Sequence, residues 1–282
     1  MNIHAITSPH NQRVKDAVKL RTARQRSKQG RTLIDGSREI GRAIDAGVQM
    51  VELFVCEPLC MSADSLRVIE RLRTLDARVW HVTPEVFERL AFGERHEGIV
   101  AVIEPPSRTL DQLQVPAGSL IAVLCGLEKP GNVGAIVRSA DGAGVGGVIV
   151  VDPVTDLFNP NCVRASLGTI FSQPIAAAST DETLAWLRAR GDRMFAARLD
   201  AAQWHTEVDL RSGAAIVLGS EAAGLPPAWH AADVSPIKLP MHGTADSLNV
   251  SAAAAVLFYE ALRQRGTLAR NAGEGGLREQ AG

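Results

Sequence analysis

The chain has 282 residues, of which 46% are hydrophobic and 22% are charged, and its formal net charge is −1. This composition is typical of a globular protein that buries a core, as one large domain or two modest ones. No apolar run approaches membrane-spanning length and the N-terminal stretch has no signal-peptide core, so we exclude the membrane-spanning classes and expect a cytoplasmic protein.

The small net charge conceals a strongly basic N-terminal segment. Residues 1–31 contain eight Lys or Arg residues and one acid, Asp16, so the charge of the segment is +7. Such a concentration indicates a polyanionic partner, with a solvated helix face as the alternative. No aromatic residue precedes Phe54, so we expect this segment to contact phosphates rather than to stack on bases. The candidate side chains are Arg13, Lys15, Lys19, Arg24 and Arg31.

The first hundred residues alternate between helical and β-rich patterns. "SPHNQRVKDAVKLRT" predicts a basic helix that is capped by Ser8, with Pro9 in its first turn. "SREIGRAIDAG" predicts a second helix that ends at Gly47, and "VELFVC", "RVWHV" and "GIVAVIE" predict strands. We therefore predict a small α/β domain over residues 1–105. A linker follows over 106–117, where the sequence is polar and proline-bounded.

The predicted strands of the second half are more strongly apolar. They alternate with helical patterns, which predicts a parallel sheet buried on both faces. We place this α/β domain at residues 118–266, with a last helix from Val250 to Arg265 and a flexible, Gly-rich tail over 267–282. The predicted strands are "LIAVLC" (120–125), "GVIVVD" (147–152), "MFAA" (194–197), "AIVLG" (215–219) and "IKLP" (237–240).

The cysteine pattern argues against a metal site. "CEPLC" has no second Cys or His pair at zinc-binding spacing, so we predict that no metal is bound and that the thiols are free. The four cysteines are Cys56, Cys60, Cys125 and Cys162.

The stretch "GAGVGGVIVVD", residues 142–152, has the G-x-G-x-x-G spacing of dinucleotide-binding turns. In such a turn the glycines follow a strand and open a helix, whose N-terminus receives the pyrophosphate. Here they end the helix "AIVRSADGAG" and lead into a strand, which places Gly142 or Gly144 in the left-handed conformation past a helix end. An NAD-dependent oxidoreductase is therefore disfavoured.

Three other segments carry chemistry-bearing residues at strand ends, where open α/β sheets bind ligands. They follow "LIAVLC", "AIVLG" and "IKLP". Each has a plain structural alternative: a surface arginine, a solvated glutamate and a well-capped final helix. The residues concerned are Asn132, Gly134 and Arg138 in the first segment, Gly219, Ser220 and Glu221 in the second, and Ser247 and Asn249 in the third.

These segments carry a family resemblance. "GLEKPGNVGAIVRSADGAG", "VLGSEAAGL" and "IKLPMHGTADSLNVSAAAAV" resemble, in this order, three motifs of the SpoU/TrmH family of RNA ribose 2′-O-methyltransferases, which belongs to the SPOUT group. The resemblance covers residues 118–265, and the N-terminal part is similar to the small RNA-binding domain of many members. Two positions depart from the usual family pattern: Ala222 replaces a glycine, and His96 stands where glutamine is frequent.

The resemblance implies a fold, a cofactor and an assembly. The fold is a parallel sheet with a trefoil knot at its C-terminal end, whose loops hold S-adenosylmethionine. Members form homodimers through the knot region and the final helix. By motif position, the cofactor-binding residues are Gly219, Leu239 and Leu248, with Ser220 and Met241 beside them.

The resemblance also implies catalytic residues. Arg138 matches the catalytic arginine, and because a guanidinium is not deprotonated in proteins, we expect it to bind a phosphate and to stabilise the developing alkoxide rather than to act as a base. Asn132 and Glu221 are expected to shape the pocket and orient Arg138, and Ser247 and Asn249 to reach the target nucleotide.

The predicted activity is S-adenosylmethionine-dependent methylation of a ribose 2′-hydroxyl in RNA. Ribosomal RNA is favoured over transfer RNA because of the separate basic N-terminal domain. A non-catalytic RNA-binding protein that retains the fold, such as a ribosome-assembly factor, is the alternative from another class.

Overall fold

The computed structural model describes residues 4–71, 77–92, 97–221 and 223–271. The chain divides into two compact units that are not contiguous in sequence. The first unit comprises Met1–Arg108, Lys129–Arg138 and Thr155–Gln173, and the second comprises Thr109–Glu128, Ser139–Val154 and Pro174–Gly282. The division that we predicted from the sequence, into residues 1–105, a linker and residues 118–266, follows the order of the chain. It therefore could not place residues 129–138 and 155–173 with the N-terminal part.

The first unit is built on a mixed sheet with the strand order β1-β4-β3-β5-β2 within the described residues. Strand β5 runs antiparallel to β2 and β3, whereas β4 runs parallel to β1 and β3. Its core contains Leu33, Phe54, Phe87 and Val100. The strands are β1 (His4–Ile6), β2 (Thr32–Asp35), β3 (Met50–Val55), β4 (Arg78–Val82) and β5 (Ile99–Ile103).

Nine α-helices occur in the residues that the structure describes. They are α1 (Gln12–Lys19), α2 (Ala23–Gln29), α3 (Ser37–Asp45), α4 (Ala63–Arg71), α5 (Pro84–Leu90), α6 (Pro130–Gly142), α7 (Pro160–Ala165), α8 (Thr180–Arg190) and α9 (Val250–Asn271).

The basic N-terminal segment forms two helices rather than one. Helix α1 ends at Lys19 and α2 starts at Ala23, with Thr22 in an extended conformation between them. The predicted cap was wrong: Asn11, not Ser8, accepts the hydrogen bond from the Arg13 N–H, and Pro9 lies before the helix. Asn11 serves because its side chain reaches the first-turn N–H groups, whereas Ser8 accepts from His10 in the preceding turn.

The second unit is a parallel sheet, as predicted, with the strand order β10-β12-β9-β11-β6-β7-β8. All of its described strand pairs are parallel. The central strands are fully buried, which explains their uninterrupted apolar sequences. The strands are β6 (Leu120–Cys125), β7 (Gly147–Val151), β8 (Ile175–Ala178), β9 (Arg193–Ala197), β10 (Gln203–Trp204), β11 (Ala214–Leu218) and β12 (Val234–Lys238).

Two helix ends test specific predictions. Helix α6 ends at Gly142, and Gly144 has a φ of +68° before β7 begins, so the G-x-G-x-x-G match is a helix end and not a dinucleotide turn. Helix α9 begins at Val250 as predicted but continues to Asn271, so residues 267–271 are helical rather than part of a tail. The rest of the predicted tail, 272–282, lies outside the described residues.

The four cysteines are free and buried, as expected for structural thiols. Burial raises the pKa of the Cys60 thiol to about 11, which keeps it protonated at neutral pH. None of the described helices is long and apolar enough to cross a membrane. Among the described side chains, no group of three His, Cys, Asp or Glu residues is arranged to hold a metal ion.

Candidate active site in the second unit

A cleft of about 620 Å³ lies at the carboxyl ends of β9, β11 and β12, which are neighbours in the sheet. Parallel strands carry their loops to one edge, so the segments after these three strands meet there although they are far apart in sequence. The lining residues that matter below are Arg198, Leu199 and Asp200 after β9, Gly219, Ser220, Glu221 and Leu225 after β11, and Leu239, Met241, Asp246, Ser247 and Leu248 after β12.

The loop after β11 is a tight backbone turn. Ser220 and Gly224 exchange two backbone hydrogen bonds of 3.1 and 3.0 Å, and the Ser220 hydroxyl accepts from the Ala223 N–H. A Cβ atom on Gly219 would lie 2.5 Å from the carbonyl carbon and oxygen of Gly224, so only glycine fits this position. Gly224 has a φ of +67°, which again favours glycine. The turn therefore presents main-chain groups to the cleft.

Glu221 and Asn249 join the second and third loops. The Asn249 side-chain amide donates to Glu221 Oε1 at 2.7 Å, while Asn249 Oδ1 accepts from the backbone N–H and the hydroxyl of Ser251. Asn249 thus caps α9 and at the same time contacts the loop after β11. The sequence left a helix cap and a binding role as alternatives for this segment, and the structure shows that one side chain makes the cap and reaches the cleft loop.

The charge in the cleft is mixed, with three carboxylates among its lining residues. Arg198 forms a two-pronged contact with Asp200, with N···O distances of 2.9 and 2.6 Å. These hydrogen bonds lower the pKa of Asp200 below its usual value, so its carboxylate stays ionised at neutral pH. The three carboxylates, of Asp200, Glu221 and Asp246, outnumber the two Lys and Arg side chains of the lining, Arg198 and Lys238, so the lining carries a small net negative charge.

The cleft contains most of the residues that the sequence assigned to this site. All five predicted cofactor-binding residues and two predicted catalytic residues, Glu221 and Ser247, line it, and Asn249 contacts Glu221. Sequence reasoning missed the wall after β9, with Arg198, Leu199 and Asp200. The strand "MFAA" was predicted, so the strand-end rule applied to the other loops could have identified this one as well.

Arg138 and Asn132 lie on α6 and belong to the first unit. Arg138 is exposed and Asn132 is half-buried in the first turn. Six residues in a helix correspond to a rotation of about 240°, so Asn132 is not adjacent to Arg138 on the helix surface. The two side chains therefore lie on different faces of α6. Packing explains why residue 134 is a glycine, because a Cβ there would lie 2.3 Å from the Cys162 carbonyl oxygen.

The predicted RNA-binding cations fall into two groups. Arg13 forms an ion pair with Glu52 at 2.7 Å and lies over the Trp80 ring at 4.4 Å, and Lys19 pairs with Asp16. Lys15, Arg24 and Arg31 form no ion pair with any described residue. Packing of the first unit places the Trp80 ring beside Arg13, an aromatic ring that the segment itself lacks. His96 and Ala222 lie outside the described residues.

Comparison with known proteins gives the family. The SpoU rRNA Methylase family model matches residues 119–259. The chain is also 32% identical over 250 residues to the 23S rRNA (uridine(2479)-2′-O)-methyltransferase of Streptomyces viridochromogenes, covering 86% of this chain and 85% of that protein. This chain belongs to the SpoU methylase family. The resemblance identified from the three motifs is confirmed.

The N-terminal part of this SpoU-family protein also has a match. The MRM3-like substrate binding domain model covers residues 11–101. Two solved structures are similar over nearly the whole chain. An RNA 2′-O ribose methyltransferase has a TM-score of 0.81 and 39% identity over 93% of this chain and 99% of that one. An AdoMet-bound rRNA methyltransferase from Sinorhizobium meliloti has a TM-score of 0.83 and 28% identity, with 93% and 98% covered.

Proposed function

We propose that this SpoU-family protein transfers a methyl group from S-adenosylmethionine to a ribose 2′-hydroxyl in RNA, with ribosomal RNA as the substrate class. The observation that carries the proposal is the cleft after β9, β11 and β12, in which residues of the second and third family motifs come together. Two relatives that align over 86% and 90% of this chain are named as 23S rRNA 2′-O-methyltransferases, which supports ribosomal over transfer RNA. Action on ribosomal RNA also supports the proposed cytoplasmic location.

The cleft fits the cofactor in size and chemistry. Its volume of about 620 Å³ suits a ligand of this size. Leu225 and Leu248 offer an apolar surface for a nucleobase, and the small net negative charge of the lining suits a cation. We assign cofactor contacts to Gly219, Ser220, Leu239, Met241 and Leu248. When bound, S-adenosylmethionine supplies an activated methyl group on a positively charged sulfur.

The protein's own residues position and activate the ribose. We assign to Arg138 the binding of a phosphate next to the target ribose and the stabilisation of the negative charge that develops on its 2′-oxygen as the proton leaves. Glu221 and Asn249, through their 2.7 Å hydrogen bond, hold the second and third loops together. Ser247, exposed beside Leu248, is assigned a contact with the target nucleotide. We assign to Asn132, in the first turn of α6, a role in shaping the pocket.

Two features of the family fold are also proposals for this chain. The first is a trefoil knot, which we assign to the loops after β11 and β12. The strand order is compatible with it, because β11 lies between β6 and β9 and β12 lies outside β9. Helix α9 exposes an apolar stripe, consisting of Val256, Tyr259 and Leu262, which are 41 to 51% exposed. A contiguous apolar stripe on a helix favours a protein partner, and we assign it to a homodimer interface.

The function is tested by methyl transfer to defined RNA. Transcripts of ribosomal RNA and of transfer RNA are incubated with the protein and S-adenosylmethionine, and 2′-O-methyl sites are mapped by the resistance of the adjacent phosphodiester to alkaline hydrolysis. We expect a single modified ribose in ribosomal RNA. Modification of transfer RNA alone would contradict the substrate class, and cofactor binding with no modification of either RNA would favour a non-catalytic RNA-binding protein.

The matched variants are Arg138→Ala and Arg188→Ala. Removing one group that stabilises developing oxyanion charge lowers turnover about 100-fold or more, so we expect that loss for Arg138→Ala with an unchanged Kd for S-adenosylmethionine. Arg188 is a half-exposed arginine paired with Asp233, and its removal should leave turnover unchanged. Near-normal turnover of Arg138→Ala would eliminate the catalytic role of Arg138.

A further inference from the structure

Arg26 differs from the other cations of the basic N-terminal segment because it is buried. Only 5% of its surface is exposed, and each of its three guanidinium nitrogens donates a hydrogen bond. Nη1 donates to the carbonyl oxygens of Leu20 and Arg21, both at 2.9 Å. Nε and Nη2 donate to Asp156 Oδ2 at 3.1 and 2.6 Å. Arg26 therefore connects the junction between α1 and α2 to a residue 130 positions further along the chain.

The Asp156 segment, Thr155–Gln173, is attached to β2 and to α3 at two further points within the first unit. The Thr32 hydroxyl, at the start of β2, donates to the Phe158 carbonyl oxygen at 2.8 Å. Arg42 Nη1, on α3, donates to the Leu167 carbonyl oxygen at 2.8 Å. The Asp156 segment is thus held by α2, β2 and α3, and two of these contacts use its backbone. Among the described hydrogen bonds and ion pairs, the Arg26–Asp156 contact is the one that joins it directly to the basic helices.

The same segment holds the helix that carries Arg138. It contains α7, whose backbone lies directly against α6 at Gly134, where an added Cβ would come within 2.3 Å of the Cys162 carbonyl oxygen and 2.8 Å of the Ala165 side chain. This close contact is one helical turn before Arg138. Close-packed backbones transmit displacement because no side chain between them can readjust.

We propose that Arg26 and Asp156 are positioning residues which couple RNA binding on the basic helices α1 and α2 to the placement of Arg138 on α6. The route runs from α2 through the Arg26–Asp156 pair to α7, and from α7 across the Gly134 contact to α6. The inference rests on the proposed function, since it assumes that the basic helices bind the RNA substrate and that Arg138 acts on it.

The variant that tests the coupling is Asp156→Asn, which keeps the side-chain size and one acceptor oxygen but removes the charge. We expect kcat to fall about tenfold, while the KM for a ribosomal RNA transcript and the Kd for S-adenosylmethionine change less than twofold. Asp156→Glu restores the carboxylate and should recover part of kcat. The matched control is Asp45→Asn, which removes the charge from another ion pair of the first unit, with Arg71, that does not involve the Asp156 segment.

A second measurement does not depend on methyl transfer. In the unaltered protein, a ribosomal RNA fragment that binds in a filter assay should slow amide hydrogen exchange in α6 and α7, and in Asp156→Asn the same RNA should bind without that slowing. A wild-type protein that shows this protection but does not methylate RNA would refute the proposed function and leave the coupling intact.

Three outcomes would overturn the coupling. The first is the absence of any RNA-dependent protection of α6 and α7 in the unaltered protein. The second is an Asp156→Asn variant with unchanged kcat and unchanged protection. The third is a parallel loss of thermal stability, RNA affinity and cofactor affinity in Asp156→Asn, because that would make the pair a general structural contact.

Discussion

Gly219 is required as glycine by the backbone that lies opposite it. A Cβ atom would meet the carbonyl group of Gly224 at 2.5 Å and the amide nitrogen of Leu225 at 2.9 Å, and backbone atoms cannot move aside as a flexible side chain can. We therefore expect Gly219→Ala to open the turn and to raise the Kd for S-adenosylmethionine at least tenfold, which corresponds to about 1.4 kcal/mol. Isothermal titration calorimetry measures this directly.

Gly266→Ala is the matched control for Gly219→Ala. It adds the same methyl group at a helical position in α9 with no heavy atom within 4 Å of the new Cβ, and alanine favours a helix over glycine. We expect its Kd for S-adenosylmethionine to equal that of the unaltered protein. Equal Kd values for both variants would show that the turn at Gly219 does not hold the cofactor.

Single residues also mark where sequence reasoning reached its limit in the site. The strand-end rule and the family motifs predicted Gly219, Ser220, Glu221, Leu239 and Leu248, and all of them line one cleft. The hydrogen bond between Asn249 and Glu221 could not be predicted, because it depends on the distance between two loops that are 28 positions apart in sequence. Side-chain pairing across a fold is set by tertiary geometry, which local patterns do not contain.

The accuracy with which secondary-structure elements were predicted followed the strength of their local sequence signal. The buried parallel strands β6, β7 and β11 have uninterrupted apolar sequences and were found in nearly the observed positions. Strand β8 has the sequence IAAA, and alanine is a weak strand former, so its pairing with β7 gave no local signal. Strand β10 has only two residues, and the break between α1 and α2 at Thr22 has no glycine or proline to mark it.

The apolar stripe of α9 allows a prediction at the level of an element. Leu262→Glu places a charge in the proposed homodimer interface, where burial without a partner costs several kcal/mol. We expect this variant to be monomeric by light scattering after size-exclusion chromatography, at concentrations where the unaltered protein is a dimer. Leu262 is 41% exposed in the single chain, so the substitution should leave the protomer folded.

The control for Leu262→Glu uses the same substitution on another exposed leucine. Leu66 lies on α4 of the first unit and is 51% exposed. Leu66→Glu should leave the molecular mass in solution unchanged. If the unaltered protein is monomeric, or if Leu262→Glu is still a dimer, then α9 does not form a homodimer interface.

At the scale of the whole molecule, neither compact unit is one continuous stretch of the chain. Length, charge asymmetry and a proline-bounded stretch predicted two α/β parts, and both exist. Residues 155–173 are joined to the N-terminal part by the Arg26–Asp156 ion pair and by the hydrogen bonds of Thr32 and Arg42, and residues 129–138 pack against α7 at Gly134. Contacts between residues more than a hundred positions apart leave no periodic trace, so no linear boundary could have represented them.

Charge distribution leads to the last prediction. Lys15, Arg24 and Arg31 form no ion pair with any described residue, so they can neutralise phosphates without first giving up an acidic partner. Each phosphate contact contributes roughly 0.7 to 0.9 to the slope of log affinity against log salt. We therefore expect the triple variant Lys15→Gln, Arg24→Gln and Arg31→Gln to bind ribosomal RNA more weakly and to reduce that slope by about 2, as measured by filter binding across salt concentrations.

A second triple variant removes the same number of charges from arginines that already have acidic partners. Arg67, Arg188 and Arg211 are exposed and pair with Asp64, Asp233 and Asp209, so neutralising them with glutamine lowers the net charge equally without removing an available cation. Its RNA affinity and salt slope should stay close to those of the unaltered protein, and neither triple variant should change the Kd for S-adenosylmethionine. If both variants lose RNA affinity equally, the overall charge of the protein governs binding rather than the basic helices. The two variants remove the same charge from different positions, so an equal loss would show that position does not matter.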